Sequence, residues 1–282
     1  MINVDLVKSQ LDENGIAVLE NVLPSKVLQK MQSTFVRQLA HPQFNTWNGY
    51  QQNEKWRLLI EDLLTLSPAF LYPIVNDSLM EICRQYIGND FQVTEARGWK
   101  TIETKRNFHG WHNDAWYDVQ ECETPPAQLK MGIYLSDVDS GEFCYVQKSH
   151  QQKLKPDHWN NKQVQNMDAT IKHVKGKAGT IFLFDTCGIH RQNSPILKKR
   201  NVVFFNFHDP AIPIQLLDQS YNRYSPLLLN AAFLQDLTKE QERILGFGDK
   251  RYFQEDVSPQ QRYPGLHKLT QLGLALRLHG QD

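Results

Sequence analysis

Between residues 91 and 209 the chain is written almost wholly in the grammar of β-strands, and this limits the folds open to it. "LKMGIYLSDV" alternates well, "FQVTEARGWKTIET" alternates in part, and "GTIFLFDT" and "RNVVFFNFHD" are β-branched and aromatic. Turn signals at Asp139-Ser140-Gly141 and Lys175-Gly176-Lys177 separate several of these runs. No regular helical pattern interrupts them. The expected core is therefore an antiparallel sandwich or barrel, not a doubly wound parallel sheet.

The flanks read differently. "VLPSKVLQKMQSTFVRQL" places Val27, Leu28, Met31 and Phe35 at helical spacing behind Ser25, a candidate N-cap. "NDSLMEICRQYIGND" aligns Leu79, Ile82, Cys83, Tyr86 and Ile87 on one stripe, with Asp77 or Ser78 as cap and Gly88 at the end. "GIAVLENVL" reads as a short strand, and "SPLLLNAAFLQDLTKEQERILGFG" predicts further helix after Pro210. With no repeat or linker in sight, residues 1–282 are expected to form one mainly β domain. It has a helical part over 1–90, a β-core over 91–209 and a helical C-terminal extension over 210–282.

Charge and cysteine usage narrow the classes. The 31 basic and 31 acidic residues balance to a formal net charge of zero, so no nucleic-acid or anionic-membrane partner is expected. No apolar run approaches the roughly 18 residues of a membrane span, and "MINVDLVKSQ" lacks the basic start and apolar run of a signal peptide. Cys83, Cys122, Cys144 and Cys187 show no C-x-x-C spacing and read neither as a zinc ribbon nor as a disulfide scaffold. A reduced, cytoplasmic chain is the expectation. The oligomeric state is not legible.

The densest chemistry lies in "FHGWHNDAWYDVQ", residues 108–120. In an extended segment His112 and Asp114 project to the same side and can approach one ion. Alone, such a pair is more often a hydrogen-bonded surface feature. In "GTIFLFDTCGIHRQNSPILKKRNVVFFNFHD" a strand runs into a loop carrying His190, and Arg200 opens the next strand. His112, Asp114 and His190 make a two-histidine, one-carboxylate set with open positions opposite, the pattern of non-haem Fe(II) oxygenases. Arg200 suits a bidentate grip on the carboxylate of a co-substrate.

These residues resemble the phytanoyl-CoA dioxygenase-like branch of the Fe(II)- and 2-oxoglutarate-dependent oxygenases. "ENGIAVLENVLPSKVLQKM" is similar to that family's opening strand and helix, "HND" to its H-x-D, and "GIYLSDVDSGEFCYVQKSH" to a segment usually ending in Gly-Ser-His. Lys148 stands where the family commonly has Gly. The resemblance implies a double-stranded β-helix, the cupin-like jelly roll, flanked by helices. It implies Fe(II) on His112, Asp114 and His190, and 2-oxoglutarate chelating that iron with its far carboxylate on Arg200. O2 is then the second co-substrate, and a small-molecule, lipid-like or carrier-bound substrate is hydroxylated with release of succinate and CO2. Asp114 favours hydroxylation over halogenation, because related halogenases carry Gly or Ala in its place. Such a site also takes Mn, Co or Ni.

Other residues compete for roles. His109 lacks a carboxylate two positions on and is expected beside the site, in the substrate pocket, with Asp118 also in the surroundings. Trp111 and Trp116 are further pocket candidates, equally at home as packing. His208 shares the β-face of Arg200, Val202, Phe204 and Asn206, so it looks into the barrel or caps its end. Gln128, more than Lys130, and Ser194 are candidates for a second contact to 2-oxoglutarate. Arg191 is expected at the surface, and Ser149 and His150 are expected to fix a turn. Two alternatives stay open: a cupin-like metalloprotein with non-oxidative chemistry, which has no need of Arg200, and a non-catalytic ligand-binding barrel.

Overall fold

A computed structural model describes residues 2–40, 57–60, 62–114, 117, 122, 124–152, 158–212 and 229–247. Two antiparallel sheets face each other. Strands β1 (Ile16–Leu19), β2 (Arg57–Ile60), β3 (Gln92–Thr101), β5 (Leu129–Tyr134), β9 (Ile181–Asp185) and β11 (Arg200–His208) form a six-stranded sheet in the order β1-β9-β5-β11-β3-β2. Strands β4 (Trp111–His112), β6 (Val138–Val146), β7 (His158–Trp159), β8 (Ile171–Gly176) and β10 (His190–Gln192) form a five-stranded sheet in the order β7-β4-β10-β6-β8. Neighbours in each sheet are mostly distant in sequence, which is how a jelly roll closes.

The six-stranded sheet is buried on both faces, which is why β5 and β9 are buried at every position. Its outer face, with Met131, Ile133, Leu183, Val203 and Phe205, packs under the helices. These are α1 (Val4–Asn14), α2 (Ser25–Leu39), the single turn α3 (Tyr72–Val75) and α4 (Asp77–Ile87). Helix α1 is capped by Asn3 and stops at Gly15 with φ 74°. Helix α4 is capped by Asn76, one residue before the expected Asp77, and α2 begins at Ser25 with no side-chain cap. The inner face joins Tyr134, Phe182, Phe184 and Val202 to Phe143, Tyr145 and Val174 of the other sheet. A third apolar cluster, around Trp111, Cys144, Val146, Trp159 and Ile189, covers the outside of the five-stranded sheet with Val164 of α5 (Asn161–Gln165).

Two expectations fail in instructive ways. Asp139-Ser140-Gly141 does not reverse the chain. It is a bulge inside β6, where the register against β8 jumps between Val138 and Phe143 and Gly141 takes φ 63°. The glycine signal was about the left-handed backbone and not about a strand end. In the described part of the C-terminal region, residues 229–247, the chain forms a 3-10 turn at Ala231–Phe233 and a short helix α6 (Lys239–Ile244). Thr238 and Gln241 cap that helix reciprocally, so the continuous helix expected there is broken before it.

Candidate metal centre

Two chain segments lying against each other build the cluster. In β4, His112 pairs directly with His190 of β10, and the Asp114 amide donates to the Thr186 carbonyl at 2.8 Å. The 186–190 loop is itself fixed from several sides. The Asp185 carboxylate accepts from the Cys187 amide at 2.8 Å and from the Tyr86 hydroxyl of α4 at 2.7 Å. Ser149 Oγ accepts from the Ile189 amide at 2.7 Å and donates to the Val146 carbonyl at 2.6 Å. Lys148 has φ 65°, the left-handed conformation that accounts for glycine at the matching family position.

The donors converge. Nε2 of His112 lies 3.7 Å from Asp114 Oδ1, and Nε2 of His190 lies 3.7 Å from Oδ2. These separations are too long for hydrogen bonds and short enough for one ion to bridge. All three ligand atoms fall within 4.8 Å of one another. Nδ1 of His112 is 3.1 Å from the Gly110 carbonyl and Nδ1 of His190 is 2.9 Å from the Gly188 carbonyl. With Nδ1–H donated there, each Nε2 lone pair faces the carboxylate, the orientation that metal-binding histidines require.

Charge states suit a cation. Burial, helped by His190 and opposed by Asp114, pushes His112 down to about 3, so its ring is neutral at ordinary pH. Burial alone would raise Asp114, but the Lys130 ammonium, first among the opposing groups, outweighs it and holds the carboxyl well below its usual range. Lys130 Nζ donates to Asp114 Oδ2 at 2.7 Å. A neutral imidazole at His112 and an ionised carboxylate at Asp114 are the forms that bind a divalent metal. The residues fit the ion that the sequence implies.

At the other end of the interior stands Arg200, 4% exposed. Its guanidinium donates to the Gly141 carbonyl, presented by the β6 bulge, and lies 6.0 Å from the Tyr134 ring centroid. Among the described residues its Nε has no hydrogen-bond partner, and no carboxylate forms an ion pair with it. An aromatic lining of Phe184, Phe143, Phe182 and Tyr134 runs from His190 to this arginine. Gln192 lies two residues beyond His190 on β10 and opposite Phe143, so it shares the inward face; its Nε2 is buried without a partner among the described residues. Sequence reading missed Gln192, although its i+2 spacing from His190 was a usable signal.

The remaining candidates separate. His109 stays beside the cluster, with ring centroids 5.6 Å from His112 and Nε2 2.6 Å from an Arg57 nitrogen. Partial burial and Arg57 push it down to about 4. Gln128 is buried, and its Oε1 accepts from Thr186 Oγ1 at 3.1 Å, while its strand neighbour Lys130 is the residue that reaches Asp114. Ser194 is half-buried just beyond β10. His208 is buried at the end of β11, opposite Gln92 and next to the outward-facing Phe207. Trp111, expected in the pocket, points the other way. With His112 turned inward, strand alternation sends Trp111 to the outer cluster, where its Nε1 donates to Asn161 and Arg191 stacks on it at 4.2 Å. Trp116 and Asp118 lie outside the described residues.

A profile of the phytanoyl-CoA dioxygenase (PhyH) family matches residues 11–193, well over half of the chain. The chain belongs to the phytanoyl-CoA dioxygenase family. As a member it is a non-haem Fe(II)- and 2-oxoglutarate-dependent oxygenase. No curated protein matches this PhyH chain in sequence. Solved structures share its fold. EctD from S. alaskensis, with 2-oxoglutarate and 5-hydroxyectoine, is 20% identical with a TM-score of 0.62, over 74% of this chain and 77% of that one. HygX from Streptomyces hygroscopicus, with nickel, 2-oxoglutarate and hygromycin B, is 19% identical with a TM-score of 0.55, over 76% and 90%. SnoN, a non-heme alpha-ketoglutarate-dependent epimerase from nogalamycin biosynthesis, is 14% identical with a TM-score of 0.57, over 73% and 83%. The jelly roll of this PhyH-family chain is thus a shared scaffold. Among its described residues no helix is long and apolar enough to cross a membrane.

Proposed function

We propose that His112, Asp114 and His190 hold the iron, that Arg200 holds the far carboxylate of 2-oxoglutarate, and that the enzyme hydroxylates a small-molecule or carrier-bound substrate. The observation that carries this reading is Arg200 itself: a buried guanidinium with no carboxylate partner among the described residues. A buried charge is retained against its desolvation cost when something anionic pairs with it. A dicarboxylate reaching from the metal ligands along the interior supplies that partner, and Gln192 Nε2 offers it a further donor. A cupin-like barrel with non-oxidative chemistry has no such need.

When bound, iron and 2-oxoglutarate supply the oxidation: one oxygen atom of O2 enters succinate as CO2 leaves, and the other replaces a substrate C–H with C–OH. The protein's own residues orient and shield. Gly110 and Gly188 fix the imidazole tautomers, Lys130 keeps the Asp114 carboxylate ionised, and the aromatic lining excludes water from the space between His190 and Arg200. The Asp114 carboxylate supports hydroxylation over halogenation, since it fills the position a halide would need. The four cysteines, all free thiols, accord with a reduced cytoplasmic setting.

The test is an anaerobic titration of metal-free protein with Fe(II), then 2-oxoglutarate, read by visible absorption. A weak charge-transfer band is expected in wild type and is expected to vanish in His190→Ala and Arg200→Ala. Iron binding with no band on adding the keto acid would sink the assignment.

A further inference from the structure

The outer face of the five-stranded sheet carries a second convergence of metal-binding atoms, which the iron reading leaves unused. Glu142 and Cys144 alternate with the inward-facing Phe143 and Tyr145 on β6, so both point away from the iron ligands. His173 of β8 lies directly across from Cys144 in the register. Its Nδ1 is 2.8 Å from Glu142 Oε1 and 3.3 Å from Cys144 Sγ. One ring nitrogen thus faces both a carboxylate and a sulfur, although its single proton can serve only one of them fully. One ligand atom from each of the three residues lies within 4.8 Å of the others. Glu142 is 4% exposed, and its Oε1 also accepts from Asn193 Nδ2 at 3.0 Å, an outer contact that fixes the carboxylate.

We propose that Glu142, Cys144 and His173 form a second metal site, selective for a borderline-soft divalent cation of the zinc type. The mixed oxygen, sulfur and nitrogen set excludes the hard cations Mg and Ca. Three protein ligands leave a fourth tetrahedral position, which water fills from the side where the His173 side chain is 48% exposed. Binding displaces the Cys144 proton to solvent and no electron moves. Burial and Glu142 push that thiol up to about 12, so affinity rises with pH. The consequence is mechanical. The ion ties β6 to β8, and through Asn193 it braces β10, which carries His190 inward from its opposite face.

Cobalt tests this in the full chain, stripped of metal and kept under nitrogen with a thiol-free reductant. A thiolate-to-cobalt band in the near ultraviolet reports only a sulfur-ligated ion, and the two-histidine, one-aspartate centre contributes none. The band is expected to reach the same height in both proteins, saturating by about two cobalt per chain in wild type, whose iron centre also takes cobalt, and by about one in His190→Ala, and to be bleached by zinc. It is expected to be absent from Cys144→Ser. In His173→Ala, an exposed position that tolerates replacement, affinity is expected to fall at least the roughly 10- to 100-fold that loss of even an outer-shell partner costs. The site is refuted by a wild type without the band, or by a band that survives unchanged in Cys144→Ser or His173→Ala.

Discussion

Arg200→Met separates the two things a buried arginine can do. If the guanidinium were a structural staple, truncation would cost about 3–5 kcal/mol, as breaking a buried pair does. Among the described residues the guanidinium meets the Gly141 carbonyl and the Tyr134 side chain and forms no ion pair. Methionine keeps most of the apolar volume against Tyr134 and removes a desolvated charge, a replacement that is often neutral or stabilising by about 1–4 kcal/mol. Against this stands the lost partner of Gly141, worth about 1–3 kcal/mol. The opposing effects nearly cancel, so ligand-free Arg200→Met is expected within about 2 kcal/mol of wild type in urea denaturation. Binding of 2-oxoglutarate is expected to behave oppositely. Losing a buried charge-assisted grip costs about 2–5 kcal/mol, or roughly 30- to 5000-fold in Kd. Isothermal titration of the manganese-loaded protein measures that without turnover. A variant that unfolds more easily by 3–5 kcal/mol yet binds 2-oxoglutarate normally would refute the reasoning.

Two further outcomes follow from the interior and from its supporting loop. A Cβ on Gly132 would lie 2.1 Å from the Phe182 ring, which stacks on Phe143 beside His190, so Gly132→Ala is expected to lose at least about 1–3 kcal/mol in urea denaturation; an unchanged midpoint contradicts the packing. Burial, opposed by Tyr86 and Cys187, raises Asp185 to about 6. The folded protein then holds a proton that the unfolded chain releases near pH 4, so this group's contribution falls as pH rises from about 4 to 6, by up to about 3 kcal/mol. Asp185→Asn is expected to remove that slope. The histidine contributions run the other way and are common to both proteins, so the difference between their stability–pH curves is the test.

The sequence made the long strands legible because β5, β9 and β11 are long enough for alternation and β-branching to register. The ligand triad was legible for a related reason. His112 and Asp114 are neighbours in sequence, and His190 and Arg200 bracket a recognisable loop. Short elements were not. Strands β4 and β10, at two and three residues, carry ligands yet leave no periodic trace, and their pairing is set by partners far along the chain. The same limit misplaced Trp111, since nothing local says which side of a two-residue strand faces the barrel. Choosing Lys130 over Gln128 as the Asp114 contact likewise required knowing that β5 passes beside the 186–190 loop.

The metal ligands hang on a shallow clasp. One residue pair joins β4 to β10, and one amide ties Asp114 to Thr186. The apolar mass that holds the molecule together lies elsewhere, in the six-stranded sheet and the helices over it. Peeling back residues 110–114 therefore leaves that mass intact and disturbs only the outer cluster in which Trp111 is seated and the two-residue pairing of β4 with β7. Metal exchange becomes a local event, open to a folded molecule on a timescale set by a few backbone hydrogen bonds and the unseating of Trp111. Hydrogen exchange should find the amides of that segment among the first to open in metal-free protein and among the most slowed once an ion bridges the clasp.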